Sequence, residues 1–125
     1  MIGSVEFAAA QFGSRLVVVL GHSQCGAIMA TLEELSRPTA NQSPNLRSIV
    51  DRIRPAVENL LPGSPGGIST ELVERAVKAN ILASVSQLRH GSAIIEDQIA
   101  NHGLIVVGAE YSLESGVVGF LEETL

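Results

Sequence analysis

The feature that most constrains the fold is an apolar run, RLVVVLG at residues 15–21, which leads directly into the loop GHSQCGAI. Its five consecutive aliphatic residues leave no polar face, so we expect a β-strand that is buried on both faces. A second run of this kind, LIVVGAEY at 104–111, lies near the other end of the chain. Two such strands are typical of a sheet that is covered by helices.

The segments between the two runs carry helical periodicity. The longest pattern is STELVERAVKANILASVSQLRH at 69–90, where Ser69 or Thr70 is placed to act as the N-cap. Long helical crossovers between apolar strands predict parallel pairing, and the short run GVVGFL at 116–121 can fold back as an antiparallel edge. We therefore predict a single α/β domain over residues 1–125, with a parallel sheet core, helices on both faces and an antiparallel edge strand.

Residues that start or stop helices set the other expected boundaries. Ser4 is a candidate N-cap of the first helix and Gly13 a candidate stop. Pro55 is expected to break or restart a later amphipathic helix. The compositions of residues 36–45 and 62–67 are typical of loops.

Charge and cysteine content exclude several classes of function. The net charge is −5 and the eight basic residues are scattered, so the sequence lacks the basic stripe that nucleic acid or an anionic membrane requires. No apolar run approaches the roughly 20 residues of a membrane span. One Cys cannot form an internal disulfide, so we expect a reducing compartment, the cytoplasm.

His22 and Cys25 stand where the first strand is expected to end, which is where sites lie in parallel sheets. Imidazole nitrogen and thiolate sulfur are preferred zinc ligands, and the flanking Gly21 and Gly26 are expected to permit tight turns around the pair. Zinc takes about four ligands, so two residues indicate a metal site only in part. A buried structural Cys beside a His that bonds the loop backbone explains the same spacing, and both interpretations stay open.

Other chemistries find less support in the sequence. A phosphatase-type loop needs an Arg shortly after Cys25, and a redox pair needs a second Cys; the sequence contains neither. His90 and His102 lie near predicted helix ends, where His is commonly a capping residue rather than a ligand.

Several motifs occur together along the chain. Residues 3–32 read GSVEFAAAQFGSRLVVVLGHSQCGAIMATL, and residues 104–121 read LIVVGAEYSLESGVVGFL. These stretches resemble the β class of carbonic anhydrases, in which a helix beginning S-[LVI]-E-[YF]-A precedes a buried strand and G-H-[ST]-x-C-G-A. The second stretch is similar to the family's ending V-V-G-A-x-Y-x-L-x-T-G-x-V-x-F-L, with Ser115 where Thr is common. The resemblance covers essentially the whole chain.

The resemblance implies a zinc lyase that interconverts carbon dioxide and bicarbonate by means of zinc-bound hydroxide. In that family two Cys and one His hold the Zn²⁺, and His22 and Cys25 match the His and the second Cys. It also implies a dimer whose active sites lie at the subunit interface.

The chain departs from the family at the first zinc ligand. In the family that Cys belongs to a C-x-D-S-R motif on an earlier strand, whose Asp and Arg also act at the site, and the sequence contains neither a second Cys nor D-S-R. We therefore expect a domain that is N-terminally truncated relative to the family, with Zn²⁺ absent or weakly bound. We also expect an exposed edge on the strand at 16–20 that is covered by a homo-oligomer, a dimer or larger. A rearranged element and a separate polypeptide are the alternatives for covering this edge.

Three functions stay open at this point. The first is a β carbonic anhydrase, with the activity of this chain alone in doubt because its ligand set is incomplete. The second is a catalytically inactive truncated homologue that acts as a structural or interaction module. The third is a related zinc hydrolase of carbonyl sulfide or carbon disulfide. Asp51 or Asp97 could replace the missing Cys only after an unusual rearrangement.

Overall fold

The computed structural model describes residues 1–39, 42–63 and 67–125. Parts of both predicted loops, residues 40–41 and 64–66, lie outside the described residues. The described elements are α1 (Ile2–Phe12), β1 (Leu16–His22), α2 (Gly26–Ser36), α3 (Pro44–Val57), a 3₁₀ helix (Glu58–Gly63), α4 (Thr70–His90), α5 (Ala93–Asn101), β2 (Ile105–Tyr111), β3 (Val118–Phe120) and a second 3₁₀ helix (Glu122–Thr124).

The three strands form one sheet in the order β1-β2-β3. The first two are parallel and in register along their whole length, from Leu16 opposite Ile105 to His22 opposite Tyr111. The third is antiparallel to β2, with Phe120 opposite Ala109. This arrangement confirms the predicted α/β class and the antiparallel edge strand.

Helix α4 packs across both parallel strands. A Cβ atom built on Gly21 of β1 would lie 2.5 Å from Ile81 Cδ1, and one built on Gly108 of β2 would lie 2.8 Å from Ile81 Cγ2. The two glycines therefore allow α4 to approach the sheet closely, and Ile81 is buried against both strands. Aliphatic side chains from α2, α3, α4 and α5 complete the core on this side.

Of the four predicted helix boundaries, two are confirmed and two are wrong. The Ser69 hydroxyl caps α4 by accepting from the Leu72 N–H, and Gly13 ends α1 with a φ of 67°. Ser4 is not a cap, because α1 already begins at Ile2. Nor does Pro55 break α3, which continues to Val57. The buried side chain of Val57 anchors this last turn in the core, and this packing outweighs the low helix propensity of Pro55.

The burial of β1 differs from the expectation for this strand. Leu16, Val18 and Leu20 are exposed, whereas the alternate residues Val17 and Val19 are partly buried and pack against the core. The strand is therefore covered on one face only by the described residues. The prediction of burial on both faces is met by β2, whose residues 106–109 are all buried.

Candidate metal centre

The two predicted ligands lie at the carboxyl end of β1. His22 is the last residue of that strand, and Cys25 is the N-cap of α2. The loop between them is fastened to the end of β2, because the Ser23 N–H donates to the Tyr111 carbonyl at 3.0 Å. The parallel register thus brings the segment after β2 beside the ligand loop.

The imidazole of His22 is exposed and oriented by the loop backbone. Its Nδ1 lies 2.9 Å from the Ser23 carbonyl oxygen, which can only accept. Nδ1 therefore carries a hydrogen in this contact, and in the neutral ring the lone pair is left on Nε2. A metal-ligating His commonly has one nitrogen held in this way by a carbonyl.

The thiol of Cys25 is half-buried at the start of α2. The backbone carbonyl of Cys25 accepts the first hydrogen bond of that helix, from the Met29 N–H at 3.0 Å. The side chain makes no capping hydrogen bond to the α2 amides and belongs to no disulfide. The sulfur is therefore not used in capping the helix.

The predicted roles of the two glycines in the loop are not what the structure shows. Gly21 lies inside β1, where its missing Cβ makes room for Ile81, and Gly26 is the first residue of α2 with open space around it. The left-handed backbone of the turn belongs instead to Gln24, with a φ of 52°. This conformation costs a residue with a side chain about 1–2 kcal/mol, so something else must hold it.

A carboxylate that the sequence reasoning missed supplies this support. Glu114 Oε2 accepts from the Ser23 and Ser112 hydroxyls, each at 3.0 Å, and Oε1 accepts from the Gln24 side-chain amide. The Ser23 hydroxyl in turn accepts from the Leu113 N–H at 2.9 Å. Glu114 is 90 residues from Gln24 in the chain, so no local sequence signal connects them.

The same hydrogen bonds change the acidity of this carboxyl. A hydrogen bond from its own backbone, followed by those from the Ser112 and Ser23 hydroxyls, lowers the pKa of Glu114 below its ordinary value of 4.5. Glu114 is therefore ionised at neutral pH and acts as an acceptor only.

Residues 1–39, 42–63 and 67–125 contain no group of three or more His, Cys, Asp and Glu side chains placed to hold a metal ion. His90 is the last residue of α4, and His102 is the C-cap of α5, where its Nε2 lies 3.4 Å from Asp97 Oδ2. Both histidines thus lie at helix ends as predicted, but the C-cap of α4 is Gly91. In donor type, His22 and Cys25 fit part of a zinc site, but they do not complete one.

A cleft beside the ligand loop has a volume of about 550 Å³ and lies on the α4 side of the sheet. Ser23, Gln24, Glu74, Glu110 and Glu114 contribute to its lining, and neither His22 nor Cys25 does. His22 shares its face of the sheet with Val18 and Leu20, which point away from α4. The cleft is thus separate from the two candidate ligands.

The sequence model described as carbonic anhydrase matches residues 1–118 of the chain. The motifs at residues 3–32 and 104–121 had indicated the same family. The chain belongs to the β-class carbonic anhydrase family. The resemblance seen in the sequence is thereby confirmed.

Among curated carbonic anhydrases, the chain is similar to carbonic anhydrase 2 of Mycobacterium tuberculosis, with 33% identity over 116 residues. It is 34% identical over 118 residues to a carbonic anhydrase of Mycolicibacterium smegmatis. These matches cover 93% and 94% of the chain but 53% and 54% of the relatives. The chain therefore spans about half the length of the curated carbonic anhydrases that it matches.

Solved structures of β-carbonic anhydrases share the fold. CafA of Aspergillus fumigatus superposes with a TM-score of 0.81 at 24% identity, covering 96% of this chain and 54% of that one. A tetrameric β-carbonic anhydrase of Sordaria macrospora gives a TM-score of 0.81 at 22% identity and covers 58% of that chain. The fold of this chain therefore corresponds to part of the β-carbonic anhydrase fold.

Proposed function

We propose that the chain forms part of a β-carbonic anhydrase that hydrates carbon dioxide reversibly to bicarbonate, with His22 and Cys25 as two protein ligands of Zn²⁺. The observation that carries the proposal is the placement of both donors at one end of β1, with Nε2 of His22 and the Cys25 sulfur outside the hydrogen bonds of the loop. Zinc, when bound, acts as a Lewis acid that makes hydroxide available at neutral pH. The family and the donor types support this function.

The third protein ligand would come from outside residues 1–39, 42–63 and 67–125. Within the described sheet β1 has β2 on one side and no strand on the other, so its second edge can accept a partner. A strand that runs parallel to β1 along this edge would end beside His22 and could present a further donor there. A Cys from a C-x-D-S-R segment, as the family resemblance implies, fits this position.

Metal analysis combined with a carbon dioxide hydration assay tests the proposal. We expect the 125-residue chain alone to hold Zn²⁺ weakly, and Cys25→Ser or His22→Ala to weaken that binding further. His102→Ala is the matched control, because His102 is bonded to Asp97 on α5 and should leave zinc affinity unchanged. Equal zinc binding by wild type, Cys25→Ser and His22→Ala would overturn the ligand assignment.

A second candidate function is favoured by the incomplete donor set in the described residues. A chain that offers two donors could serve as an inactive structural or interaction module of the same family. The hydration assay separates the candidates in a sample that also contains the zinc ligand supplied from outside. A rate that falls on Cys25→Ser supports the enzyme, and equal rates for both proteins support the module.

We further propose that copies of the chain associate through β1 and the exposed face of the sheet. Leu16, Val18 and Leu20 form an exposed aliphatic row, and the exposed Phe7 and Phe12 of α1 stack edge to face with ring centroids 5.4 Å apart. Exposed apolar surface and an unpaired strand edge both favour association. The tetrameric state of the Sordaria macrospora protein is in keeping with this proposal.

A dimer that forms along the β1 edge does not by itself supply the missing metal ligand. Two β1 edges related by a two-fold axis perpendicular to the sheet pair antiparallel. Because β1 has seven residues, the two His22 side chains would then lie about 20 Å apart. Such a dimer covers the edge without bringing two ligand pairs together.

Sedimentation of wild type and Val18→Lys tests the association. We expect wild type to be a dimer or larger at micromolar concentration and Val18→Lys to be largely monomeric. Ile49→Lys on the exposed face of α3 is the control that adds the same charge elsewhere. A monomeric wild-type chain would contradict the proposal.

The location is proposed as cytoplasmic, in keeping with a single free Cys. No helix within residues 1–39, 42–63 and 67–125 combines the length and the apolar character that crossing a bilayer requires.

A further inference from the structure

We propose that Glu114 is the positioning residue of the ligand loop: it holds Gln24 in the left-handed conformation and thereby sets the relative placement of His22 and Cys25. The part of this inference that concerns metal affinity rests on the proposed zinc function. The part that concerns loop conformation does not.

Several hydrogen-bonding groups converge on the Glu114 carboxylate. Its two oxygens accept from three side chains, namely Ser23 and Gln24 of the ligand loop and Ser112 of the segment after β2. Ser23 and Gln24 are the two residues between the candidate ligands. One side chain therefore contacts the whole connection between His22 and Cys25.

The hydrogen bonds around Glu114 all run toward its carboxylate. The Ser23 hydroxyl oxygen accepts from the Leu113 N–H, so its hydrogen is free to point to Glu114. Ser112 is arranged in the same way, since its hydroxyl oxygen accepts from the Ser115 N–H at 3.3 Å. All three side-chain groups thus donate to Glu114, and an ionised carboxylate accepts from each without having to donate in return.

The backbone of the ligand loop is strained at Gln24. Gln24 is the one non-glycine residue with positive φ in the described parts of the chain. Its side chain leads to Glu114, whereas the Ser23 N–H is held by the Tyr111 carbonyl. Without the carboxylate, Gln24 is free to return to a negative φ, which would change the direction in which the chain leaves His22 and enters α2.

The test compares Glu114→Ala in two backgrounds, wild type and Gln24→Gly. Glycine adopts a positive φ without the penalty that other residues have. If Glu114 acts by holding Gln24, Glu114→Ala should change the conformation of the ligand loop in the wild-type chain. It should change that conformation little in the Gln24→Gly chain. Glu122→Ala is the matched control, because it removes an exposed carboxylate that lies outside the loop network.

The first readout uses the metal-free chain. We expect Glu114→Ala to shift the amide resonances of Ser23 and Gln24 and to speed hydrogen exchange of the Ser23 and Leu113 amides by about fivefold or more. The same substitution in the Gln24→Gly chain should change exchange of the Ser23 amide less than twofold. Unchanged resonances and exchange in Glu114→Ala would overturn the proposal.

The second readout is affinity for Co²⁺. Binding is monitored by the absorption band of the Co²⁺–thiolate bond to Cys25. Substitution of a residue that orients a metal ligand commonly lowers metal affinity by about 10–100-fold. We therefore expect Glu114→Ala to weaken Co²⁺ binding by about tenfold while lowering the melting temperature only slightly. An equal loss in the Gln24→Gly chain would show that Glu114 does not act through Gln24.

The two proposals fail in distinguishable ways. Wild type that shows no Co²⁺–thiolate absorption contradicts the ligand assignment of Cys25, while the exchange measurement still reports on Glu114. Normal Co²⁺ binding and unchanged exchange in Glu114→Ala contradict the positioning role alone.

Discussion

Strands β1 and β2 are both predominantly apolar and differ in their surroundings. Each has seven residues, both are rich in Val, and they pair in register along their whole length. β2 lies between two strands, and its Gly108 N–H also donates to the Thr124 hydroxyl at 2.9 Å. β1 has a neighbour on one side only within the described sheet, and alternate side chains along it are exposed.

The difference shows that apolar composition does not decide burial. Val18 and Val107 are directly opposite each other, yet Val18 is 39% exposed and Val107 is 3% exposed. The candidate ligands lie at the end of the less covered strand. The same edge of β1 thus leaves the strand exposed and is where the proposed third ligand would enter.

The largest effect is expected where one residue supports both strands. Ile81→Ala removes the side chain that packs on Gly21 and Gly108, and we expect it to lower the free energy of unfolding by about 2–5 kcal/mol. Ile94→Ala is the control, since this exposed side chain should cost less than about 0.5 kcal/mol. Urea unfolding measures both, and equal losses would show that Ile81 does not join the strands to α4.

The paired valines test the comparison directly. Val107→Ala removes two buried methyl groups and should lower the free energy of unfolding by about 2 kcal/mol. Val18→Ala should change it by less than about 0.5 kcal/mol in the monomer. If urea unfolding of dilute protein gives equal losses, another element covers β1 in solution.

Alanine substitutions at the two glycines that flank the ligand pair should change the thermal stability in opposite directions. Gly21→Ala brings a methyl group within 3 Å of Ile81 Cδ1 and Cγ1 and should destabilise by about 1–3 kcal/mol, because the buried Ile81 also packs on Gly108. Gly26→Ala lies at the start of α2 in open space and should stabilise by about 0.5–1 kcal/mol. Thermal unfolding measures both, and the same sign for the two would contradict the assigned roles.

The smallest effect concerns pH. Because the folded state lowers the pKa of Glu114, its ionised carboxylate contributes stability above the unfolded pKa of about 4.5. That contribution is lost as the pH falls through the lower, folded pKa. We expect the difference in melting temperature between wild type and Glu114→Gln to be constant above about pH 5.5 and to shrink below pH 4.5. A difference that grows on acidification would have the wrong sign.

Local patterns were sufficient to predict much of the molecule. Both long strands, the Ser69 cap and the Gly13 stop are confirmed because each depends on neighbouring residues and backbone preferences. The placement of His22 and Cys25 at one strand end follows from the same local pattern.

Other features depend on residues that are far apart in the chain. The role of Gly21 depends on Ile81, and the left-handed Gln24 is supported by Glu114. Neither partner can be identified from spacing, because each contact forms only after α4 and β2 have packed beside β1.

The sequence therefore determined the α/β class, the order of the strands along the chain and the two candidate ligands, since periodicity and motif are local properties. Only the tertiary structure decided which of two similar strands is buried and which carboxylate supports the ligand loop. Burial and hydrogen bonding depend on what lies beside a residue in space, and for β1 and its loop those neighbours come from the other end of the chain.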